Sequence, residues 1–345
     1  MGRVSPLRVA WIIYGSLDQV SGGYIYDRLV VEHLRALGDT VTVVSLDPHG
    51  GSLPALSTDD YDVVVGDELC FRELGTLFRT APAGLRRVLL IHHLTAWEYP
   101  AGPARDELLA LETAAIDAAD VCVATSDVTA ARLQHERLAQ NVAVAEPGAD
   151  RFERAGSAAK KPARPRLRLL FVGNILPRKR VLELAQAFVE LASEQAELVL
   201  VGAELDPEYA QSVRAVLARG QVTDRVHWLG SLDATGVAEQ LSLADALILP
   251  SALEGYGMVL SEALWMGVPI IAARVGAAEA LASRSHAGLL FEPDDVRGLG
   301  MALTCFNRDR ELRASLWDAA WQAAAQLPRW RDTALSVRAT LSKSR

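Results

Sequence analysis

Two glutamates, Glu254 and Glu262, stand at the ends of the segment EGYGMVLSE, with seven residues between them. Carboxylates accept hydrogen bonds from hydroxyl groups, so such a pair suits a sugar ligand. The apolar spacing after Gly257 predicts a helix, and glycine there permits a positive φ and a close approach of backbone to ligand. The N–H groups of Met258 and Val259 would then face an anion. The segment predicts a ligand that carries hydroxyl groups and a phosphate.

Three other stretches carry residues that could act on such a ligand. The run RKR at 178–180 precedes a helical pattern and offers cations to a phosphate. His92 and His93 end the apolar run RVLLI, and Gly23 belongs to a Gly-Gly pair after the first apolar run. That pair lacks the GxGxxG spacing of a dinucleotide loop, which disfavours a dehydrogenase.

Each of these features also has a plainer interpretation when it is taken alone. The Glu-x7-Glu spacing fits a solvated loop glutamate and a salt-bridged helix glutamate, and the basic run fits a solvated surface. The histidine pair fits a structural or surface role, and the glycine pair fits a turn. The choice between the functional and the plainer interpretations depends on the helices and strands around these residues.

The first half of the chain alternates apolar runs with helical patterns. The patterns predict strands at 8–14, 40–46, 61–66, 87–93 and 120–126, and helices at 24–37 and 104–119. Continuous apolar strands separated by helices are typical of a parallel sheet covered on both faces. The first half is therefore predicted to be a doubly wound α/β domain.

The pattern restarts after AGSAAKKPARPR, a linker candidate at 155–166 without apolar periodicity. A second series follows, with strands at 167–174, 196–203, 225–231, 245–251 and 269–274, and helices at 181–193 and 258–266. We predict two similar α/β domains, 1–160 and 161–326, and a closing segment at 327–345. Open α/β sheets bind ligands beyond the carboxyl ends of their strands, so the site is expected in the loops there, in a cleft between the domains.

The composition limits the classes of function. The chain has 345 residues, 50% of them hydrophobic and 23% charged, which fits a globular protein of more than one domain. Its formal net charge of -8, without a long Lys/Arg block, disfavours nonspecific binding of nucleic acid.

Cysteine use and hydropathy bear on the compartment. Cys70, Cys122 and Cys305 are odd in number and widely spaced, which supports neither a disulfide framework nor a CxxC metal site. No apolar run approaches the roughly 18 to 20 residues that span a bilayer, and the N-terminal run fits a buried strand better than a signal peptide. These features predict a cytoplasmic protein and leave peripheral membrane contact open.

The segment EGYGMVLSEALWMGVPIIAA resembles the donor segment of the family 4 retaining glycosyltransferases, which commonly reads Glu-Gly-aromatic-Gly, an apolar run, Glu-Ala and Gly-x-Pro-Val. Other stretches agree in order along nearly the whole chain: SGGYIYDRLVVEHLRALGDTVTVVS, IHHL, AADVCVATSDVTAARL, EPGAD, LLFVGNILPRKRVLELAQAF, LVLVGA, RVHWLGSL and, more loosely, GAAEALASRSHAGLLFEPDD. The resemblance implies the GT-B fold, in which two Rossmann-like domains face each other across a cleft. LPRWRDTALSVRATL at 327–341 is similar to the family's closing segment, which implies a C-terminal helix that crosses back to the N-terminal domain.

The resemblance also implies roles for residues at matching positions. Glu254 would lie beside the donor sugar, and Glu262 would contact the nucleotide ribose. Lys179 falls on the lysine that pairs with the donor diphosphate, where it would stabilise the charge that grows on the leaving oxygen.

The N-terminal half supplies two further matching positions. Gly23 falls where the family's Gly-rich loop approaches the donor phosphates. His92 falls on a histidine near the donor sugar and the reacting centre, although His93 fits the same position one residue later.

Two positions depart from the family's pattern. Family members carry Arg directly after the Gly of GNILPRKR, whereas this chain has Asn174, and the Gly expected after Lys179 is Arg180. Asn174 would donate a hydrogen bond to the diphosphate but brings no charge. Arg178 or Arg180 would compensate, as a hypothesis.

A metal requirement is not predicted. Asp60-Tyr61-Asp62 spells DxD, the metal-binding signature of the other large glycosyltransferase fold, but it precedes a buried strand and is better interpreted as a turn. Lys179 and the helix N-terminus would do for the diphosphate what a divalent cation does elsewhere. No cofactor is expected beyond the nucleotide-sugar donor.

The implied function is a retaining glycosyltransferase that moves a hexosyl group from a nucleoside diphosphate sugar to an acceptor hydroxyl of unknown class. The family's mechanism is a front-face displacement in which the leaving diphosphate helps to deprotonate the acceptor. A double displacement is disfavoured because no residue stands out as a dedicated nucleophile. Two alternatives remain: a non-catalytic binding module of the same fold, and a nucleotide-sugar epimerase or phosphorylase.

Overall fold

The computed structural model describes residues 5–50, 53–154, 165–191 and 194–342. The described chain divides into two compact units, one running up to Gly148 and resuming at Pro328, the other covering Ala149–Leu327. Most of the linker candidate at 155–166, and the domain boundary expected at residue 160, lie outside the described residues.

The first unit is built on a six-stranded parallel sheet. Its strands are Arg8–Tyr14 (β1), Thr40–Leu46 (β2), Val63–Asp67 (β3), Arg86–Ile91 (β4), Val121–Ala124 (β5) and Val142–Val144 (β6). They lie in the order β2-β1-β3-β4-β5-β6, and every pair is parallel. The helices between them are Gly22–Ala36 (α1), Phe71–Thr80 (α2), Pro103–Ala118 (α3) and Asp127–His135 (α4). The strand order reverses between β1 and β3, so the loops after these two strands flank a crevice of the kind that binds ligands.

The second unit has a six-stranded parallel sheet of its own. Its strands are Leu167–Val172 (β7), Ala196–Val201 (β8), Val226–Gly230 (β9), Ala246–Leu249 (β10), Ile270–Ala273 (β11) and Gly288–Phe291 (β12). The order β12-β11-β10-β7-β8-β9 is that of a Rossmann fold, with its reversal between β7 and β10.

Helices cover the second sheet and close the chain. Those of the second unit are Val181–Glu190 (α5), Pro207–Arg219 (α6), Ala234–Leu243 (α7), Met258–Trp265 (α8), Ala278–Ser285 (α9), Val296–Arg308 (α10) and Arg310–Ala323 (α11). The last helix, Trp330–Leu341 (α12), belongs to the first unit, where it packs against α1.

Three contacts fix α12 within the first unit. The Trp330 ring is buried and meets the Tyr26 ring edge-on at 5.6 Å. A Cβ on Gly148 would lie 2.1 Å from the Trp330 nitrogen, so only glycine permits this close approach. Near the end of the helix, Arg338 forms an ion pair at 2.6 Å with the buried Asp39.

The predicted architecture is confirmed. β1 and β2 span the predicted ranges, and the other predicted strands and helices are present with ends shifted by a few residues. These strands are nearly continuous apolar runs because helices bury both faces of a parallel sheet. The C-terminal helix also returns to the first unit, as the resemblance implies.

The cysteines are free thiols. Cys70 and Cys122 are buried, while Cys305 lies at the surface. Burial raises the pKa of the Cys70 thiol, and it raises the pKa of Cys122 to about 12. None of the described helices combines the length and apolar character needed to cross a membrane.

Candidate functional site

The residues singled out in the second half lie at the point where its strand order reverses. β7 is followed by the loop that contains Asn174 and by a short 3₁₀ segment, Pro177–Lys179. β10 is followed by the loop that contains Glu254 and then by α8. Since β7 and β10 are neighbours, both loops leave the same edge of the sheet.

Lys179 and Glu254 form a buried ion pair in these two loops. The Lys179 Nζ donates to Glu254 Oε1 at 2.6 Å, and the two side chains are 16% and 9% exposed. Burial alone would raise the pKa of Glu254, but the charges of Lys179 and Arg178 hold it below its ordinary value. The sequence singled out both residues separately, and the structure brings them into direct contact.

Arg178 ties the two loops together through their backbones. Its guanidinium donates to the Leu253 carbonyl at 3.0 Å, and its own carbonyl accepts from the Ala252 N–H at 2.9 Å. These two hydrogen bonds between the loops hold Lys179 and Glu254 next to each other. The guanidinium of Arg178 is thus engaged with the second loop.

Arg180 stands in a backbone conformation that favours glycine. Its φ of 54° and ψ of 36° lie in the left-handed region, which costs a non-glycine residue roughly 1–2 kcal/mol. Ion pairs of its guanidinium with Glu183 and Asp294 stabilise the side chain there. Glycine adopts this left-handed conformation without strain, which explains the glycine that the resemblance implies here. Arg180 keeps the same turn. Asn174 is half-buried, and its side chain makes no hydrogen bond within the described chain.

Glu262 lies inside α8 and is almost fully buried. Its Oε1 is 3.1 Å from the Arg151 Nε, yet it accepts no hydrogen bond from the described residues. Burial raises the pKa of Glu262, and the charge of Arg151 opposes that rise. A buried carboxylate oxygen without a hydrogen bond is a suitable acceptor for a ligand hydroxyl.

The start of α8 is shaped by glycines. Gly257 precedes the helix with a φ of 88°, so Met258 and Val259 are its first residues. The first N–H groups of a helix have no partner within it, which leaves them to a ligand or to water. Gly276 packs beneath the preceding loop, where a Cβ would come within 2.7 Å of the Tyr256 carbonyl. The loop geometry therefore rests on both glycines.

In the first unit the structure brings Gly23 against His92. A Cβ on Gly23 would lie 3.1 Å from the His92 Cδ2, so the glycine allows α1 to begin beside the imidazole. His92 directly follows β4, and its ring meets Tyr26 edge-on at 5.2 Å. His93 instead pairs with Glu98 at 2.6 Å nearer the surface. The structure thus gives the two histidines different surroundings.

Three buried carboxylates surround His92. Its Nε2 is 3.7 Å from Asp27 Oδ1 and 3.6 Å from Asp67 Oδ2, and its backbone N–H donates to Glu68. Burial would lower the pKa of His92, but these three carboxylates raise it well above its ordinary value. Burial, together with the charge of Asp67, raises the pKa of Asp27. The group is a strongly interacting set of titratable side chains, which is common at functional sites.

The DxD sequence has a structural partner. Asp62 accepts from the Arg8 backbone N–H at 2.8 Å and pairs with its guanidinium at 2.7 Å. The hydrogen bond from the Arg8 guanidinium lowers the pKa of Asp62. The contacts agree with a turn that precedes β3.

Sequence reasoning did not single out Arg151, Asp27, Asp67 or Glu68. A signal existed for two of them: Asp67 ends the apolar run VVVG, and Asp27 lies about one turn into the helix after the glycine pair. Asp67 is the last residue of β3 and Asp27 lies in the helix that follows β1, so both are near the carboxyl ends of strands, where ligands bind in open α/β sheets. Arg151 had no such signal.

Residues 166–309 match the family model described as glycosyl transferases group 1. Over 153 residues the chain is 33% identical to the N-acetyl-alpha-D-glucosaminyl L-malate synthase of Bacillus anthracis, an alignment that covers 44% of this chain and 39% of that protein. It is 28% identical over 250 residues to the D-inositol 3-phosphate glycosyltransferase 2 of Catenulispora acidiphila, an alignment that covers 68% of this chain and 58% of that protein. The chain therefore spans less than two thirds of the length of both relatives. The family-model match at 166–309 contains Lys179, Glu254 and Glu262. It supports a glycosyltransferase assignment.

Solved structures match the fold over nearly the whole chain. Sucrose-phosphate synthase from Thermosynechococcus elongatus has a TM-score of 0.80 at 21% identity, covering 96% of this chain and 97% of that one. HepE of Anabaena, in complex with UDP and glucose, has a TM-score of 0.76 at 18% identity, covering 98% and 100%. These similarities confirm the GT-B fold of two Rossmann-like domains.

Proposed function

We propose that the protein is a metal-independent, retaining glycosyltransferase that transfers a hexosyl group from a nucleoside diphosphate sugar to an acceptor hydroxyl. The observation that carries the proposal is the set Lys179, Glu254 and Glu262 beside the N-terminus of α8, at the strand reversal of the second unit. A cation, two carboxylates and the first N–H groups of a helix match the parts of such a donor: phosphates, sugar and ribose.

The binding roles follow from the chemistry of each group. The two negative phosphates would be neutralised by Lys179 and by the N–H groups of Met258 and Val259. The Glu262 Oε1, which accepts no hydrogen bond from the described residues, would accept one from a ribose hydroxyl, and Glu254 would accept from the hexose. The presence of UDP and glucose in the structurally similar HepE complex supports this kind of donor.

In the transfer step, the bond between the anomeric carbon and the diphosphate oxygen breaks while the acceptor oxygen bonds to the same face of that carbon. The acceptor proton passes to the departing diphosphate. Negative charge grows on the leaving oxygen, where the Lys179 ammonium would stabilise it. Removing one such fixed donor typically costs about 10² to 10³ in rate.

Lys179 must serve two anions in this scheme. Its ammonium has three donor hydrogens, and one of them is used by Glu254. The other two are available to phosphate oxygens, so the ion pair orients Lys179 for the diphosphate. This cation and the α8 N-terminus supply the charge compensation that a metal ion would otherwise provide.

The first unit is proposed to bind the acceptor and to supply His92 near the reacting centre. The free cysteines support a reducing, cytoplasmic setting. The acceptor class is open in this proposal.

A second candidate is a nucleotide-binding module without transfer activity. It is favoured by Asn174, which stands where the family carries a cation and which makes no hydrogen bond within the described chain. In that case the nucleotide would bind, but no sugar would be transferred or hydrolysed.

The test is thermal stabilisation by UDP, GDP, ADP and dTDP in EDTA. Ligand at about 100 times its Kd stabilises the native state by roughly 2.7 kcal/mol. We expect one nucleotide to raise the melting temperature, Glu262→Ala to abolish that shift, and Glu239→Ala, at an exposed glutamate of the same unit, to keep it. No shift with any nucleotide would overturn the proposal.

The matching nucleotide-hexose then decides the reaction. With an acceptor screen, proton NMR of the product should show the donor's anomeric configuration. Inversion would contradict a retaining mechanism, and epimerised donor or sugar phosphate would identify an epimerase or phosphorylase. Nucleotide binding with neither transfer nor slow donor hydrolysis would identify the binding module.

A further inference from the structure

A turn at the start of the second unit reaches the helix that carries Glu262. The turn contains Arg151 and Phe152, a few residues after β6, and both residues belong to the second unit. The Phe152 carbonyl accepts a hydrogen bond from the Trp265 indole at 2.8 Å, and Trp265 is the last residue of α8. Trp265 and Glu262 are three positions apart on this helix, so their side chains are neighbours on its surface. The turn is therefore anchored to α8 beside Glu262.

The Arg151 guanidinium contacts both an aromatic ring and the Glu262 carboxylate. Its Cζ stands 4.3 Å from the centre of the buried Phe152 ring, and its Nε is 3.1 Å from Glu262 Oε1. The side chains of Arg151 and Glu262 are only 10% and 4% exposed. Stacking of a planar guanidinium on a ring fixes its position, and shielding from water strengthens its electrostatic effect. Arg151 therefore acts on Glu262 from one defined side.

The charge of Glu262 depends on Arg151. Burial raises the pKa of Glu262, and the positive charge of Arg151 opposes this rise. The elements packed against α8 include α9, α11, β10 and β11, and none of their described residues contributes a further charge to Glu262. A buried carboxylate that lacks a counter-charge binds a proton more readily, because burial disfavours the charged form. Arg151 thus favours the ionised form of Glu262.

The ion pair leaves the carboxylate able to accept hydrogen bonds. Although the Arg151 Nε is close, Glu262 Oε1 accepts no hydrogen bond from the described residues. Nearly all buried polar atoms in proteins have a hydrogen-bond partner, so this oxygen is suited to a ligand that donates one. An ionised carboxylate only accepts hydrogen bonds, whereas a protonated one carries a donor on one of its oxygens. Arg151 therefore determines what Glu262 offers to a hydroxyl group.

We propose that Arg151 is a positioning residue for the nucleotide's ribose, which acts by holding the Glu262 carboxylate as the acceptor of the ribose hydroxyls. This inference rests on the proposed function, which assigns the ribose to Glu262, and it adds a source of selectivity for the sugar of the nucleotide. Hydrogen bonds to a charged acceptor are strong enough for a preference of about tenfold to a hundredfold over a nucleotide without these hydroxyls. Hydrogen bonds to a neutral acceptor give a preference of only a few fold.

The experiment compares nucleotides with and without these hydroxyls by isothermal titration calorimetry. UDP, GDP, ADP and dTDP are each measured with their 2′,3′-dideoxy analogues, on the full chain in EDTA at about pH 7. For the base that binds, we expect the hydroxylated form to bind about 10 to 100 times more tightly than the dideoxy form. Arg151→Gln should reduce this preference to less than about threefold and change the affinity for the dideoxy form by less than about threefold. A general loss of structure would instead weaken both forms.

The pH dependence of the preference is a readout that a purely structural role would not change. Arg151→Gln removes the charge that opposes protonation, so the pKa of Glu262 rises further. The preference of this variant should therefore recover as the pH is raised from about 6 to 9, whereas that of the wild type should reach its maximum at a lower pH. Arg151→Lys keeps a positive charge and should retain a preference of at least about fivefold at neutral pH.

The matched control is Arg154→Gln. Arg154 lies three residues further along the chain, where its guanidinium stacks on the Trp321 ring at 3.5 Å and donates to the Trp321 carbonyl. This variant removes an arginine of the same segment that has an aromatic partner of its own, so the preference should be unchanged.

A second comparison covers the case in which Arg151→Gln does not fold because Glu262 stays buried without its counter-charge. The double variant Arg151→Gln/Glu262→Gln carries no unpaired charge. Its affinity for either form of the nucleotide should lie within about twofold of that of Glu262→Gln alone, since Arg151 acts through Glu262. A further loss of more than about fivefold would overturn the proposal, because Arg151 would then act independently.

Retention of the wild-type preference by Arg151→Gln, or loss of the preference in Arg154→Gln, would also overturn the role of Arg151. Nucleotide binding by the wild type without any preference for the hydroxylated form would overturn it as well, and would leave the phosphate contacts of Lys179 and α8 standing. Failure to bind any of the four nucleotides would overturn the proposed function itself. The two failures are therefore distinguishable.

Discussion

The ion pair between Lys179 and Glu254 permits a test that separates stability from function. The atoms are 2.6 Å apart and both side chains are shielded from water, so solvent screening is weak. Removing one partner of a buried pair typically costs about 3–5 kcal/mol because the other charge stays buried. Arg178 also acts on Glu254, so Lys179→Met should cost about 3 kcal/mol, the low end of that range.

The measurable quantities are the melting temperature and the nucleotide affinity. A loss of about 3 kcal/mol lowers the melting temperature by roughly 6–12 °C for a unit of this size. The double variant Lys179→Met/Glu254→Gln carries no unpaired charge and should recover more than half of that loss, because neutral replacements of buried pairs are often tolerated. It should not recover affinity for the nucleoside diphosphate, since the cation is gone.

Calorimetric unfolding and isothermal titration with the nucleotide provide the two readouts. A Lys179→Met variant that melts within about 1 °C of the wild type would show that the pair behaves as an exposed one. Equal instability of the double and single variants would also refute the reasoning. In either case the buried ion pair would not orient Lys179.

Three other predictions rest on single features. Gly23→Ala places a methyl group against the His92 ring, so it should lower transfer activity at least tenfold while circular dichroism stays native; unchanged activity would separate His92 from the reaction. Iodoacetamide should label only Cys305 in the native protein and all three cysteines in guanidinium, as read by intact mass; rapid native labelling of a second thiol would contradict the burial of the others. The pKa of Asp62 is lowered by its hydrogen bond to Arg8, so this bond stabilises the fold above the unfolded carboxyl's pKa and is lost as pH falls through the folded pKa. Asp62→Asn should therefore destabilise the protein more at pH 7 than at pH 3 in thermal melts, with metal-free transfer unchanged; equal destabilisation at both pH values would contradict this.

The strands and helices were predictable because each corresponds to an apolar run or an apolar periodicity in the sequence. β1, RVAWIIY, is buried on both faces and reads as one uninterrupted run. Repetition of this alternation predicted a second domain of the same kind. The order of strands within each sheet has no such signal. It depends on which strands the connecting helices allow to lie side by side, and the apolar runs do not indicate this.

The candidate site was predictable only residue by residue. Lys179 and Glu254 are 75 positions apart, and their contact depends on β7 lying next to β10. Asp27 and Asp67 meet for the same kind of reason, since β1 lies beside β3. Strand order therefore decides which polar side chains share a crevice, and local sequence patterns do not contain it.

Arg180 shows the opposite case, where a local departure proved compatible with the fold. The family resemblance implies a glycine at this position, and the chain has an arginine instead. The structure keeps the left-handed backbone and anchors the side chain through Glu183 and Asp294. The backbone angles show that this position adopts the left-handed conformation, which glycine adopts without strain.

The placement of α12 has a consequence for how the protein is made. The second unit is one continuous stretch of chain, whereas the first is interrupted by it and resumes at Pro328. A nascent chain on the ribosome therefore exposes the whole second unit before Trp330 emerges. Until then Tyr26 lacks the ring that packs against it, and Tyr26 is the side chain that flanks His92. The surroundings of His92 are thus completed after the second unit has been synthesised, so a growing chain can fold its second unit while the first is still incomplete.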